Sequence, residues 1–172
     1  MKKHNFSAGP CILAPEVIMG ASEAVNDFNG MGLSLLEISH RDKNFVDVMD
    51  EARSLSKEIM GLDDDFEVLF LQGGASLQFC MAPYNFMHSG GKAGYLVTGT
   101  WAKKAAAEAA LFGEIAEIGS SADRNFSYIP KDLNISDSLD YFHLTSNNTI
   151  VGTQMKEIPK TKIPLVCDMS SD

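Results

Sequence analysis

The 172 residues hold 14 Lys and Arg against 23 Asp and Glu, a net charge of −9 spread along the chain, which excludes the clustered basic face that nucleic-acid binding needs. A hydrophobic content of 45% is enough for a real core, and the length is that of one domain. No run of eighteen apolar residues occurs and no apolar signal core follows the two N-terminal lysines, so the expectation is a cytoplasmic chain with no membrane segment.

Residues 1–14 read as an extended segment, and residues 15–172 as one α/β unit. Pro15 stands at a first helical position, Val17, Ile18, Ala21, Ala24, Val25 and Phe28 follow at helical spacing, and Gly30 is the stop. The pattern repeats through Phe45, Val48, Met49, Ala52, Leu55 and Ile59 to Gly61. Both segments are predicted as amphipathic helices. Asp63, Asp64 and Asp65 fit no calcium loop and read as a solvated turn.

Strands and helices then alternate. A strand is predicted at 66–72, a helix at 76–87, a strand at 92–99, a helix at 101–112 and a strand at 114–119. Two short apolar strands follow at 141–147 and 164–170, each ending in polar residues. That order implies a mainly parallel sheet with crossover helices, a three-layer αβα arrangement. Ligands of such sheets sit outside the carboxyl ends of the strands, which draws attention to Thr145, Ser146, Asn147, Asp168 and Ser170. A domain stopping at Asp172 would leave its last strand uncovered on a face, so the chain is expected to be the front part of something larger.

Gly73 and Gly74, between an apolar run and a helix, let the backbone turn sharply and let an anion approach the first helical turn. The stretch lacks the Gly-x-Gly-x-x-Gly spacing and the lysine of nucleotide-binding loops. Trp101, the only tryptophan, follows a strand where it could stack on a planar ligand. Asp168 ends a buried strand, where an acid needs a partner. His40 and Arg41 place two anion-binding groups side by side, while His4, His88 and His143 carry no assigned role. Cys11, Cys80 and Cys167 are an odd count without metal-ligand spacing, so they read as small buried hydrophobes and no metal site is expected.

The segments 5–10 (NFSAGP), 38–41 (ISHR), 70–79 (FLQGGASLQF), 99–105 (GTWAKKA), 147–154 (NNTIVGTQ) and 166–172 (VCDMSSD) occur in the order and spacing of the phosphoserine aminotransferases. The chain resembles that family, class V aminotransferases of fold type I, along its whole length. The resemblance implies the N-terminal part of a large domain that binds pyridoxal 5′-phosphate (PLP), with residues 1–14 lying near the active site. The rest of that domain and a small C-terminal domain would lie beyond these residues. It also implies a homodimer that moves an amino group between glutamate and 3-phosphohydroxypyruvate, giving O-phosphoserine and 2-oxoglutarate, in serine and in some bacteria pyridoxine biosynthesis.

The same resemblance assigns the residues. Gly74, Ala75 and Ser76 would receive the PLP phosphate, Trp101 would stack on the ring, Asp168 would pair with the pyridinium nitrogen, and Thr149 would lie near the phenolic oxygen. Ser7, Ala8, His40 and Arg41 would bind the amino-acid substrate. The lysine to which the family attaches PLP lies after the Asp-bearing strand, and none of the lysines here sits in a matching motif, so the 172 residues alone are expected to be inactive. Many relatives carry arginine where Ser76 stands. Another class V aminotransferase or a desulfurase, and a non-catalytic binding module, remain as alternatives.

Overall fold

The computed structural model describes residues 3–172, which divide into two compact units between Leu71 and Gln72.

In the first unit, α1 spans Pro15–Asn26 and α2 spans Lys43–Met60. Pro15 opens α1, as expected, since it lacks an N–H that the first turn could not satisfy anyway. The helix stops at Asn26, four residues before the predicted glycine. Phe28 turns inward in a short 3-10 turn, and the Asp27 carboxylate accepts the Gly32 N–H at 2.8 Å. Asp42 caps α2 by accepting the Asn44 N–H at 2.9 Å, and the two bonds from Asn44 hold its carboxyl below the ordinary range. Gly61, left-handed at φ 64°, ends α2 where the sequence placed the stop. Neither helix has a buried residue, and Val17, Ile18, Leu55 and Ile59 of the predicted apolar stripes are exposed.

The segment 66–72 departs from expectation. It forms no strand, and Leu69, Phe70 and Leu71 are more than half exposed. A strand requires a neighbour to accept its ladder of hydrogen bonds; among the described residues this segment has none.

The second unit carries α3 (Gly74–Phe86), β1 (Lys92–Val97), α4 (Thr100–Ala109), β2 (Glu114–Ser120), β3 (Phe142–Thr145), β4 (Asn147–Asn148), β5 (Thr153–Gln154) and β6 (Leu165–Asp168). Strands β2, β1, β3 and β6 form, in that order, an all-parallel sheet. The pair β4–β5, which the sequence reading did not anticipate, is a small antiparallel hairpin closed by residues 149–152 with Gly152 left-handed.

Alternation along the strands divides the core. Ala93, Tyr95 and Val97 pack with Tyr141 against Phe79 of α3 and Ala105 and Ala109 of α4. Leu96, Phe142 and Leu144 face the other way, onto Leu133, Ile135, Met155 and Ile163. Helices therefore cover one face and irregular chain the other. The link from β2 to β3, residues 121–141, contains one 3-10 turn and no α-helix. Small residues on α4 let it lie close on the sheet; Ala102, Ala105 and Ala109 are fully buried. The Tyr95 and Tyr141 hydroxyls satisfy each other at 2.6 Å inside this layer. The three cysteines are unpaired, but Cys11 is exposed and Cys80 and Cys167 are only half-buried, so the expectation of three buried hydrophobes was wrong. They stand on surfaces of helices, strands and chain that the described residues do not fully cover.

Candidate functional site

In a parallel sheet every strand ends at the same edge, and a helix that feeds or follows a strand presents its N-terminus there. The four strands of the sheet and the N-termini of α3 and α4 meet that condition in the second unit. Gly73 (φ 93°) and Gly74 (φ 58°) are both left-handed, and a Cβ on Gly73 would strike Leu77 of the next turn at 2.5 Å. Only glycine fits that turn. The first bond within α3 runs from the Leu77 N–H to the Gly73 carbonyl, so the N–H groups of Gly74, Ala75 and Ser76 point out of the helix end. Ala75 is anchored against the core while Ser76 is exposed.

After β1, Thr98 is buried, Gly99 is fully extended and α4 begins, with Trp101 in its first turn and 36% exposed. The Lys104 ammonium sits 4.5 Å from the centre of its ring, which engages one face of the indole.

The registration of β3 with β6 sets Thr145 opposite Asp168. Asp168 is half-buried, and its Oδ1 accepts the Ser170 N–H at 3.1 Å and the Ser170 hydroxyl at 2.6 Å. That fixes the carboxylate while leaving Oδ2 unengaged among the described residues. The turn after β6 is stitched to the hairpin: the Asn147 amide donates to the Ser171 carbonyl at 2.5 Å, and the Thr149 and Ser171 hydroxyls bond at 2.6 Å. On the Asp168 face, the hydroxyl of Thr145 and Nδ1 of His143 are buried with no partner.

His143 lies flat on Tyr95, ring centres 4.9 Å apart, with Phe79 edge-on. Burial pushes its pKa down to about 4, against the opposing pull of the Asp168 charge. The imidazole is therefore neutral at pH 7.

Gly74, Ala75, Ser76 and Trp101, at the starts of α3 and α4, and Asp168, at the end of β6, thus belong to one edge of one sheet, and Thr149 of the β4–β5 hairpin is tied to the turn after β6 through Ser171. Ser7, Ala8, His40 and Arg41 lie in the first unit and are exposed. Ser7 donates its N–H to Asn5 at 2.9 Å and Arg41 its N–H to Ser39 at 3.2 Å, so both stand in side-chain-stabilised turns. A groove of about 670 Å³ between residues 129–133 and 154–160 includes none of these side chains. Among the described residues no cluster of three His, Cys, Asp or Glu side chains could hold a metal ion, and no helix is long and apolar enough to cross a membrane.

Residues 3–172 match the aminotransferase class-V family. The chain belongs to that family. Among its relatives, a protein of Flavobacterium johnsoniae named phosphoserine aminotransferase is 62% identical, the match covering all of this chain and 49% of that protein. One of Bacteroides fragilis with the same name is 59% identical, over all of this chain and 48% of its own length. The solved phosphoserine aminotransferase of Bacillus circulans subsp. alkalophilus superimposes with a TM-score of 0.91 at 41% identity, over 96% of this chain and 46% of that one. A PLP-bound phosphoserine aminotransferase from Trichomonas vaginalis gives 0.89 at 31%, over 98% and 51%. The chain spans about half the length of the curated relatives it matches.

In this class-V chain, sequence reasoning passed over His143, Asn148 and Ser171. His143 had a readable signal, since it alternates with Phe142 and Leu144 and so shares a face with Thr145. Asn148 and Ser171 had none, because their partners at positions 98, 147 and 149 are defined only by the folded chain.

Proposed function

We propose that the whole protein is a PLP-dependent phosphoserine aminotransferase, exchanging an amino group between glutamate and 3-phosphohydroxypyruvate in serine biosynthesis. Pyridoxine biosynthesis is a second route that the same reaction chemistry serves. The observation that carries this reading is Asp168, held half-buried by Ser170 opposite Thr145, at the sheet edge where α3 and α4 begin.

The donors there fit PLP. The N–H groups of Gly74, Ala75 and Ser76, with the Ser76 hydroxyl, suit a phosphate. The indole face of Trp101 opposite Lys104 suits a flat ring. Thr149 offers a hydroxyl for a phenolic oxygen, and the orphaned Thr145 hydroxyl and His143 Nδ1 are polar atoms that the chain itself does not satisfy. PLP, when bound, supplies an electron sink for the charge left as an amino acid loses its α-proton. Asp168 would contribute a fixed negative charge that favours the protonated form of the ring nitrogen. Arg41 would offer a planar fork for a carboxylate or a phosphate, with His40 next to it in the chain, and Ser7 and Ala8 would contact the amino acid.

The protein acts as a cytoplasmic homodimer in this reading, with residues 1–14 as the extended segment near the active site and 15–172 as the front of the PLP-binding domain. The 172 residues alone do not turn over, because the lysine that anchors PLP is not among them. The test is amino transfer by the full-length protein: 2-oxoglutarate should appear from glutamate in step with O-phosphoserine, only when PLP and 3-phosphohydroxypyruvate are both present. Preference for an unphosphorylated keto acid, or release of sulfur from cysteine, would refute it.

A further inference from the structure

We propose that Asn148 is a positioning residue that sets Trp101 against Thr149 and Asp168, acting through its bond to Thr98; the role rests on the PLP reading above. Asn148 is 2% exposed. Its amide nitrogen donates to the Thr98 hydroxyl at 3.2 Å and to the Thr153 hydroxyl at 3.2 Å. The two bonds do different things. The one to Thr153 closes the β4–β5 hairpin on itself. The one to Thr98 joins the hairpin to the end of β1, three residues before Trp101.

The contact is tight on the α4 side. A Cβ on Gly99 would collide with the Asn148 side-chain oxygen, which is buried without a partner. Gly99 is extended at φ 180°, a conformation open to any residue, so glycine is required there for space and not for backbone freedom. The hairpin in turn holds the Asp168 turn, through Asn147 and Thr149 on Ser171 and through Gln154 on Asp172 at 2.5 Å. One buried amide is thus the side-chain link between the loop carrying the indole and the loops carrying the hydroxyl and the carboxylate. A ring gripped by both sides feels any slack in that link.

The experiment uses the full-length protein, stripped of cofactor and reloaded with PLP, as wild type, Thr98→Val, Thr153→Val, Thr98→Ser and Gly99→Ala. Melting of the apo-protein, PLP affinity by equilibrium dialysis, and the circular dichroism of the bound cofactor band are read together. Both valine variants should lower the apo melting temperature, Thr153→Val at least as much, since each removes one acceptor from the same amide and Thr153→Val also removes the 3.5 Å bond to the Phe126 carbonyl. Only Thr98→Val and Gly99→Ala should weaken PLP, by about tenfold, or ~1.4 kcal/mol, and diminish the dichroism, with Thr98→Ser restoring both. Equal losses in Thr98→Val and Thr153→Val, or unchanged affinity and dichroism in Thr98→Val, would overturn the positioning role while leaving the PLP reading in place. Failure of the wild type to bind PLP would overturn that reading, and this role with it.

Discussion

Replacing His143 by phenylalanine should flatten the loss of stability that the chain suffers in mild acid. The ring is 2% exposed, stacked on Tyr95, and its Nδ1 has no partner, so a phenyl group keeps the shape and gives up no hydrogen bond. Burial lowers the folded-state pKa from 6.5 to about 4. The unfolded chain therefore takes up the proton first as pH falls. The stability contributed by keeping His143 neutral is complete above pH 6.5 and is lost through the window from 6.5 down to 4. The gap between the two values corresponds to about 3 kcal/mol, of which about 2 kcal/mol has gone by pH 5. Urea unfolding of wild type and His143→Phe at pH 8, 6 and 5 singles out this group, because titrations that do not couple to it cancel in the difference. The variant should gain about 2 kcal/mol on the wild type between pH 8 and 5. Parallel stability curves would show that His143 is protonated in the fold and that the Tyr95 face is open to water.

Further expectations concern the full-length protein. Asp168→Asn should still bind PLP yet transaminate slower by about a hundredfold or more, the scale of losing one preset electrostatic partner; near wild-type turnover would remove Asp168 from the mechanism. Trp101→Ala should weaken PLP by on the order of 1 kcal/mol beyond the area lost, read as a several-fold rise in dissociation constant, and an unchanged constant would reduce Trp101 to a packing residue. Arg41→Ala should raise KM for glutamate and for the phosphorylated substrate by about 1.5–3 kcal/mol, the worth of a charged hydrogen bond, with cofactor content intact. Arg41→Lys should recover part of this, because a point charge cannot reproduce the fork. Loss of cofactor with substrate affinity kept would move Arg41 into the PLP site.

What could be read from the sequence was whatever depends on short-range chemistry. Pro15 and Gly61 bounded their helices because a missing N–H and a left-handed terminus are local requirements. The glycines at the start of α3 and the apolar run of β1 were legible for the same reason. The segment 66–72 was read as a buried strand from its apolar run, yet that composition says only that the segment wants a partner. The apolar stripes of α1 and α2 carry the same message, with Val17, Ile18, Leu55 and Ile59 exposed. At the site, residue types pointed to Gly74, Trp101 and Asp168 and the family resemblance added Ser76; His143 was legible by alternation with Phe142 and Leu144, whereas Asn148 acquires meaning only once Thr98 is folded against it. The hairpin after β3 escaped notice because its two-residue strands are too short to show alternation.

In the proposed reading, residues 1–172 hold the phosphate, ring and pyridinium contacts of PLP, and the lysine that anchors it lies outside them. Borohydride reduction of the PLP-loaded full-length protein, followed by peptide mapping, tests it most directly. One stoichiometric label is expected, on a lysine outside residues 1–172, with Trp101 fluorescence quenched on loading. A single labelled lysine within residues 1–172, together with amino transfer by the 172-residue chain alone, would contradict it.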